Sequence, residues 1–585
     1  MTTASRTGSM RSVWILLLLL LALPATRHAG SNVMVRFATT VRIVDAGTTE
    51  LGSYASQTND LATHGGKFYN DKAPGVSLIN VPAYALVRLI TDNFDAARHA
   101  CRLLTLTLFT LFTAWWLHRR LPAWGVEGIT RDTAAVAYCV STVGWAYFAM
   151  LFGHGYVANF IMLGVLFLVD YRREPESVRS LVVAGVCFGA AIATEYPVAV
   201  LGLIAGIYLL LFERRVSRVA VFAALGAAAP LLVILAINYA NFGDPFRLGY
   251  SIVKDPRYFG AMNQGFMGIN LPTLGNFFEI TLSPGKGVFF WSPLLLMGLA
   301  GLPIAFRQRR AEQFLLGGMV LAYLFVFSGY FEAGGGACLA CRHLTPVFGP
   351  LILVAALAAS RSPRRADLFF LLAAASSVLA LVGVFAEPQM PERLANPLWE
   401  FALPLWREGL GPGNILGLPD RVAQIAAAVL LATTWLFVAQ GNGMFRRKRG
   451  KWDMAAPAVV LAAVFIFLLA LPFLPRTEPG LYHQVRGNNF MVREDYTRAV
   501  GEYEQAFATR PDPWVLYYLA RAHLKLGNEQ KAEAVLEKLL AIDPEILRPD
   551  AKKGTVESTD EATTNDAPTP AGEDQTNDSS GAVTP

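Results

Sequence analysis

Charge is what this sequence has least of. Only 16% of its 585 residues are Asp, Glu, Lys or Arg, where an average soluble domain carries about 25%. A water-soluble chain of this length divides into several domains, each with a polar surface, and most of this one lacks the residues to cover them. A soluble enzyme, a secreted disulfide scaffold and a wholly disordered protein are excluded on that count. Cysteine is scarce as well. There are five, too few and too scattered for a disulfide framework, and no Cys/His set has zinc spacing. Cys101, Cys139 and Cys187 lie in or beside apolar runs. Cys338 and Cys341 have redox-motif spacing, but no thioredoxin-like strand pattern surrounds them. In an oxidising outer compartment that pair either bonds or stays as free thiols. Long basic tracts are missing too. The excess of +6 sits in short clusters between apolar runs, which excludes a nucleic-acid partner.

What is present is apolar sequence, 54% of the chain. A bilayer crossing needs about 20 residues, and runs of that order lie near 12–28, 99–118, 132–151, 154–170, 179–196, 197–213, 216–238, 288–306, 313–330, 345–360, 367–386, 421–440 and 455–475. The expected fold class is an all-α polytopic membrane protein with about thirteen spans. Arg119-Arg120, Arg172-Arg173, Arg214-Arg215, Arg307 to Arg310, Arg361 with Arg364-Arg365, and Arg446 to Arg449 fall in alternate connections. Short loops rich in Lys and Arg stay cytoplasmic, so the N-terminus is expected inside and the C-terminus outside. The long connections 29–98, 239–287, 331–344 and 387–420 then face outward. The first run is short enough for a cleaved signal peptide, with small residues at Ala22 and Ala25; a retained helix from about Ser9 is preferred.

The composition changes after residue 476. The expected division is a transmembrane domain over 1–476, a helical unit over 477–548, and a tail over 549–585. In the helical unit, Ala499, Tyr503, Ala506 and Pro511 have the spacing of the second helix of a tetratricopeptide repeat. Leu516, Leu519, Ala520, Gly527, Ala532, Leu536 and Pro544 follow as a fuller copy. Small residues stand where paired helices touch, and Pro closes each unit. One and a half to two repeats are too few for independent stability, so the unit is expected to lean on the membrane domain or on a partner. A plain helical hairpin without a peptide groove is the simpler reading. The tail has almost no large apolar residue and cannot pay for folding by burial, so disorder is expected.

The first outer loop carries the residues with chemistry. It holds Asp45-Ala46-Gly47, Asn59-Asp60, and Tyr69-Asn70-Asp71-Lys72-Ala73-Pro74-Gly75, then a partly apolar stretch from Val76 to Ile90 that suits a helix along the membrane surface. Acids and a lysine beside a membrane are what a reaction on a lipid-linked phosphate requires. A carboxylate takes a proton from an attacking hydroxyl, and a cation holds the departing phosphate where negative charge develops.

The run Tyr69 to Gly75, after one long helix and an Arg-aromatic pair, Arg36-Phe37, resembles the acid-Lys-Pro signature of the GT-C membrane glycosyltransferases. These are polyprenyl-phosphate-sugar-dependent enzymes that include protein O-mannosyltransferases and lipid A aminoarabinose transferases. Phe152 to Gly155, Ala193 to Tyr196, Asn241 to Pro245, Ser283 to Phe289 and Gly334 to Pro346 resemble landmarks of bacterial members in the same order. The resemblance spans residues 10–475. It implies transfer of a sugar from a polyprenyl-phosphate donor to a lipid, glycan or protein acceptor, at the outer face of a bacterial cytoplasmic membrane. It also implies that Asp71-Lys72 match the family's acid-Lys pair, and Asp71 is a candidate catalytic carboxylate. Many members carry an acid immediately before the Arg-aromatic pair; here Asn32-Val33-Met34-Val35 has none. Asp60 and Asp45 are the candidates to replace it, and Asp60 is favoured.

Each candidate has a plainer reading. Asp60 reads equally as a helix cap, Asp45 as a turn acid, and Asp71-Lys72 as a weak surface pair. Arg342 is the preferred second phosphate ligand, because guanidinium forks onto phosphate, with His343 beside it; a lipid-headgroup anchor is the alternative for Arg342. Arg36, Asp45, Tyr69, His154 and Arg257 are possible supporting residues. Lys286 reads as an interface anchor and His64 as a solvated loop residue. Asp92-Asn93-Phe94-Asp95 lacks a spaced acid pair, so no metal or other cofactor is expected. The repeat unit is a candidate site for an envelope partner. A transporter or lipid flippase would instead need ionisable groups inside the spans and broken helices. A non-catalytic scaffold that presents the repeats is the third reading.

Overall fold

The computed structural model describes residues 3–174, 177–213, 215–305, 310–444 and 476–544. The chain is helical almost throughout. Seven of the described helices are long and apolar enough to cross a membrane: Phe94–Trp124, Gly153–Arg173, Val216–Phe242, Ala311–Ser328, Arg342–Ala359, Pro363–Ala386 and Asp420–Gly441. Shorter apolar helices occupy Met10–Ala22, Gly75–Val87, Val178–Thr194, Tyr196–Phe212 and Leu294–Ile304. The expected run 455–475, the tail 549–585, and the basic clusters at 307–309 and 446–449 lie outside the described residues.

Two expected spans are broken, and the two breaks meet. The run 132–151 divides into helices Gly128–Val140 and Gly144–Phe148, and the run 288–306 into Val288–Trp291 and Leu294–Ala305. Pro293 has no N–H to give. The freed backbone groups find hydroxyls: Val143 N donates to Ser292 Oγ at 3.0 Å, and Leu294 N to Ser376 Oγ at 3.0 Å. A break in apolar surroundings persists only when its backbone groups are satisfied in this way.

The first helix, Thr3–Ala22, buries Val13, Leu17, Leu20 and Leu21 and packs along Asp420–Gly441. Its last carbonyls have no intrahelical donors. Arg102, buried within the next long helix, donates to Leu21 O at 2.8 Å and Ala22 O at 2.7 Å.

Helix Ser31–Ala46 opens the long first connection, 29–98, and lies against helix Gly75–Val87. Between them, strands Leu61–His64 and Lys67–Asn70 form an antiparallel hairpin, a departure from the purely helical expectation. Gly65 and Gly66 turn it with φ of 57° and 75°. Both values are positive, as the two-residue hairpin turn that matches strand twist requires. Helix Gly75–Val87 ends beside exposed Leu86, Leu89 and Ile90.

Four helices make the C-terminal helical unit: Pro479–Val492, Tyr496–Thr509, Pro513–Lys525 and Glu529–Ile542. They pair antiparallel as two repeats. Gly487 has no side chain because the Tyr503 ring lies where a Cβ would stand, 2.6 Å from its Cε1. The unit rests on the membrane domain, as the shortage of repeats demands. Arg493 donates to Gly411 O and to Ala386 O, Arg486 pairs with Glu408 at 2.9 Å, and Thr477 bonds Glu400.

Candidate active site

The hairpin register decides the geometry of the site. Leu61 pairs with Asn70, so Asp60, just before the first strand, stands beside Asp71, just after the second. Lys72 bridges them, with Nζ 3.2 Å from Asp60 Oδ1 and 2.9 Å from Asp71 Oδ2. Asn70 accepts the Lys72 backbone N–H at 2.9 Å and fixes the turn. A second segment, around Gly249 and Tyr250, closes over it. Gly249 lies so near Asp71 that a Cβ would stand 2.7 Å from the Asp71 Cα. The next residue, Tyr250, places its ring 5.3 Å from Lys72 Nζ, a favourable cation–π distance.

The two carboxylates differ in setting. Asp60 lines a cavity of about 360 Å³. Asp71 sits behind Lys72 and is 2% exposed, with its Oδ1 buried and unpartnered. Burial raises its pKa against the pull of Lys72, and Asp60 adds to the rise, to about 6. Lys72 is drawn the other way. Burial opposes its charge, but Asp60 and Asp71 together hold its pKa well above the ordinary value. The lysine is therefore a fixed cation at the cavity wall.

The same cavity is lined by Asn32, Tyr258, Glu332 and Arg342. The Arg342 guanidinium lies 5.4 Å over the Phe152 ring, and its Nε has no partner. Tyr258 donates to Glu332 Oε1 at 2.9 Å. Burial raises the Glu332 pKa, Arg342 lowers it, and Glu392 raises it again. Lys72 and Arg342 thus present two cations to one space. Asn32 and Asp60 come from different segments and line the same cavity. Thr58 donates to Ser31 O at 3.1 Å and pins the Asp60 loop beside Asn32.

Behind the cavity lies a second, closed cluster. Arg36 is fully buried. It donates to Glu195 Oε1 at 2.6 Å, to Ala73 O and Thr194 O at 3.2 Å, and to Asn32 Oδ1 at 3.0 Å. It ties the Asp71-Lys72 loop to the end of helix Val178–Thr194. Glu195 also meets His154 Nδ1 at 3.2 Å. Burial opposes the Glu195 charge, but Arg36 and His154 prevail and bring its pKa down to about 2. Gly75 and Gly153 make the junction possible: a Cβ on Gly75 would stand 2.6 Å from Ala193 O, and one on Gly153 would collide with Glu195.

Several expectations are corrected by these positions. Asp60 caps no helix; it leads into a strand. Asp45 does not line the cavity. It accepts from Tyr84 at 3.2 Å and from Arg88 at 3.3 Å, because its helix ends at Gly47 on the far side of the loop. Tyr69 packs on Phe242, 5.6 Å between rings, on the other face of the hairpin. His64 is not purely solvated; its ring lies 6.1 Å from Phe242. His343 is stacked flat on Phe327 at 4.6 Å and lies 5.4 Å from the His154 ring, so it supports Arg342 from behind. Lys286 is no interface anchor. It is buried and donates to Gly336 O at 2.5 Å and Cys338 O at 3.0 Å, shaping the segment before Arg342. Cys338 and Cys341 are buried free thiols. The Arg257 side chain lies outside the described residues. No group of three or more His, Cys, Asp or Glu side chains is gathered for a metal among the described residues. Glu332, Tyr250 and Tyr258 were not foreseen. They come from segments about 180 to 260 residues further along, with no local motif to mark them.

A family model described as a tetratricopeptide repeat matches residues 493–553. No curated protein matches the chain. Among solved structures it is similar to ArnT from Cupriavidus metallidurans in the apo state, at 15% identity over 75% of this chain and 76% of that one, with a TM-score of 0.45. It is similar to the same ArnT bound to undecaprenyl phosphate, at 16% identity over 76% and 78%, with a TM-score of 0.44. It is also similar to the Archaeoglobus fulgidus oligosaccharyltransferase in the apo form, at 12% identity over 74% and 56%, with a TM-score of 0.38.

Proposed function

We propose that this protein is a membrane glycosyltransferase that moves a sugar from a polyprenyl-phosphate donor to an acceptor at the outer membrane face, by a single inverting displacement. The observation that carries this reading is the cluster at the cavity wall: a carboxylate and two cations, Asp60, Lys72 and Arg342, on one space. Asp60 accepts the proton of the acceptor group. The acceptor atom bonds to the anomeric carbon as the bond from that carbon to the phosphate oxygen breaks. The polyprenyl phosphate leaves with the electron pair. Lys72 and Arg342 neutralise the charge that grows on it, which is where fixed positive charge lowers a barrier most.

Asp71 is a positioning residue in this scheme. It holds Lys72 from behind and leaves Asp60 one oxygen not engaged by the lysine. A transporter needs ionisable groups at its helix breaks. Here Ser292 and Ser376 close the breaks beside buried Trp145 and Trp291.

The test is to incubate purified protein in lipid with a panel of polyprenyl-phosphate sugars and follow release of free polyprenyl phosphate. Release by the wild type, abolished in Lys72→Ala, is expected. Equal release by both proteins, or none by the wild type with any donor, overturns the proposal.

A further inference from the structure

The cavity does not end at Arg342. It continues along the inner helices of the repeat unit, where Asn488, Asn489, Arg521 and Lys525 line it. The orientation of the two carboxamides is informative. Arg493 Nε donates to Asn489 Oδ1 at 2.8 Å, and guanidinium nitrogen only donates, so the oxygen is fixed in place. Tyr503 donates to Asn488 Oδ1 at 2.7 Å. With both oxygens engaged, both Nδ2 groups remain as donors without a hydrogen-bond partner among the described residues. Asn488 is 7% and Asn489 8% exposed, so these donors look into the cavity rather than into bulk solvent. An unmet donor in such a place carries a desolvation cost that a ligand acceptor removes.

Arg521 and Lys525 stand four apart on helix Pro513–Lys525 and so share one face. Neither has a carboxylate partner among the described residues. Arg521 lies 5.8 Å over the Tyr517 ring. On the membrane-domain wall the acids Asp60, Glu332, Glu387 and Glu392 are matched by Arg27, Lys72, Arg342 and Arg393, whereas on the repeat unit Glu494 faces Arg493, Arg521 and Lys525. The excess of positive charge is therefore on the repeat side. That strip suits an extended peptide with carbonyls for the two amides and carboxylates for the two cations.

The chain supplies such a peptide. Residues 554–585 contain seven Asp or Glu and no Lys or Arg. They follow the repeat unit directly, and at about 3.5 Å per extended residue they are long enough to fold back across it. We propose that the inner face of the repeat unit is a docking site for an acidic peptide segment and that its occupant is the chain's own segment 554–585. Tethering raises the effective concentration of such a ligand to the millimolar range, so weak individual contacts suffice. The proposal does not depend on the chemistry assigned to the catalytic cluster.

Zero-length carbodiimide cross-linking of the full-length protein tests it. The reagent joins Lys525 only to a carboxylate in direct contact. Trypsin cuts after Lys553 and releases 554–585 as one piece, and mixing isotopically labelled with unlabelled protein separates links within a chain from links between chains. A Lys525-to-tail link at least fivefold above that of Lys531 and Lys538 on the outer helix is expected. It should be lost in Arg521→Glu and competed away by free synthetic 554–585 peptide. Equal links at all three lysines, or no change in Arg521→Glu, overturns the proposal. Loss of the link in phosphatidylglycerol nanodiscs without competition by the free peptide reassigns the strip to lipid headgroups and overturns it too.

Discussion

Two buried acid–base clusters lie one behind the other, and they are built on opposite terms. In the rear cluster, Arg36 spends its donors on Glu195 and on three further oxygens. In the front cluster, one lysine serves two aspartates, and Asp71 keeps a buried oxygen with no partner. The carboxyl pKa values separate accordingly, to about 2 at Glu195 and about 6 at Asp71. An arginine held by four oxygens is fixed in place; a carboxylate with an unengaged oxygen retains the capacity to act on something else. The contrast places rigidity behind the cavity and chemistry at its wall.

The comparison breaks most visibly at Asp60. Loss of a positioned general base costs about 10²- to 10⁴-fold, so Asp60→Asn should lower polyprenyl-phosphate release by that order with the melting temperature nearly unchanged. A variant that retains full turnover removes Asp60 from the reaction. In the rear cluster the loss should be one of stability. Arg36→Met leaves Glu195 buried without its cation, which costs about 3–5 kcal/mol. Thermal melts of the detergent-solubilised protein should show it as a large downward shift, and an unshifted melt contradicts the structural role.

The pH response sharpens the contrast further. Asp71 is raised from its ordinary value, so the native state holds that proton more tightly than the unfolded chain. The ionised form therefore costs stability as pH rises through about 6. Asp71→Asn should be more stable than wild type at pH 7.5, and the gain should vanish at pH 4, where the wild-type carboxyl is itself neutral. Glu195 runs the other way. Its stabilisation is present above its ordinary pKa and is lost as pH falls toward about 2. Melting curves of Asp71→Asn and wild type at the two pH values check the sign. The smallest effect belongs to the repeat unit. Glu408 pairs with Arg486 and with partly exposed Arg498, and Glu408→Gln should cost no more than about 1 kcal/mol, read as faster hydrogen exchange in helix Pro479–Val492.

Much of this was legible from local chemistry. Asp71-Lys72 stands out in sequence because acid, lysine and Pro-Gly follow one another, and the repeat unit because small residues recur at helical spacing. Gly65-Gly66 between two short runs is a two-residue hairpin signal. That signal by itself joins Asp60 to Asp71. No such signal marks Glu332 or Tyr258, and none shows that Asn488 and Arg521 face the same cavity as Lys72.

Composition by itself determined a multi-pass helical membrane protein with a polar helical appendage, because the apolar excess leaves most of the chain no other solvent. Which acid stands at the cavity wall, which arginine is merely a tie, and where the repeats rest were decided only by tertiary structure. Those outcomes depend on strand register, on glycines that let backbones touch, and on hydrogen bonds between segments far apart in the chain, and none of these is a property of any short stretch of residues.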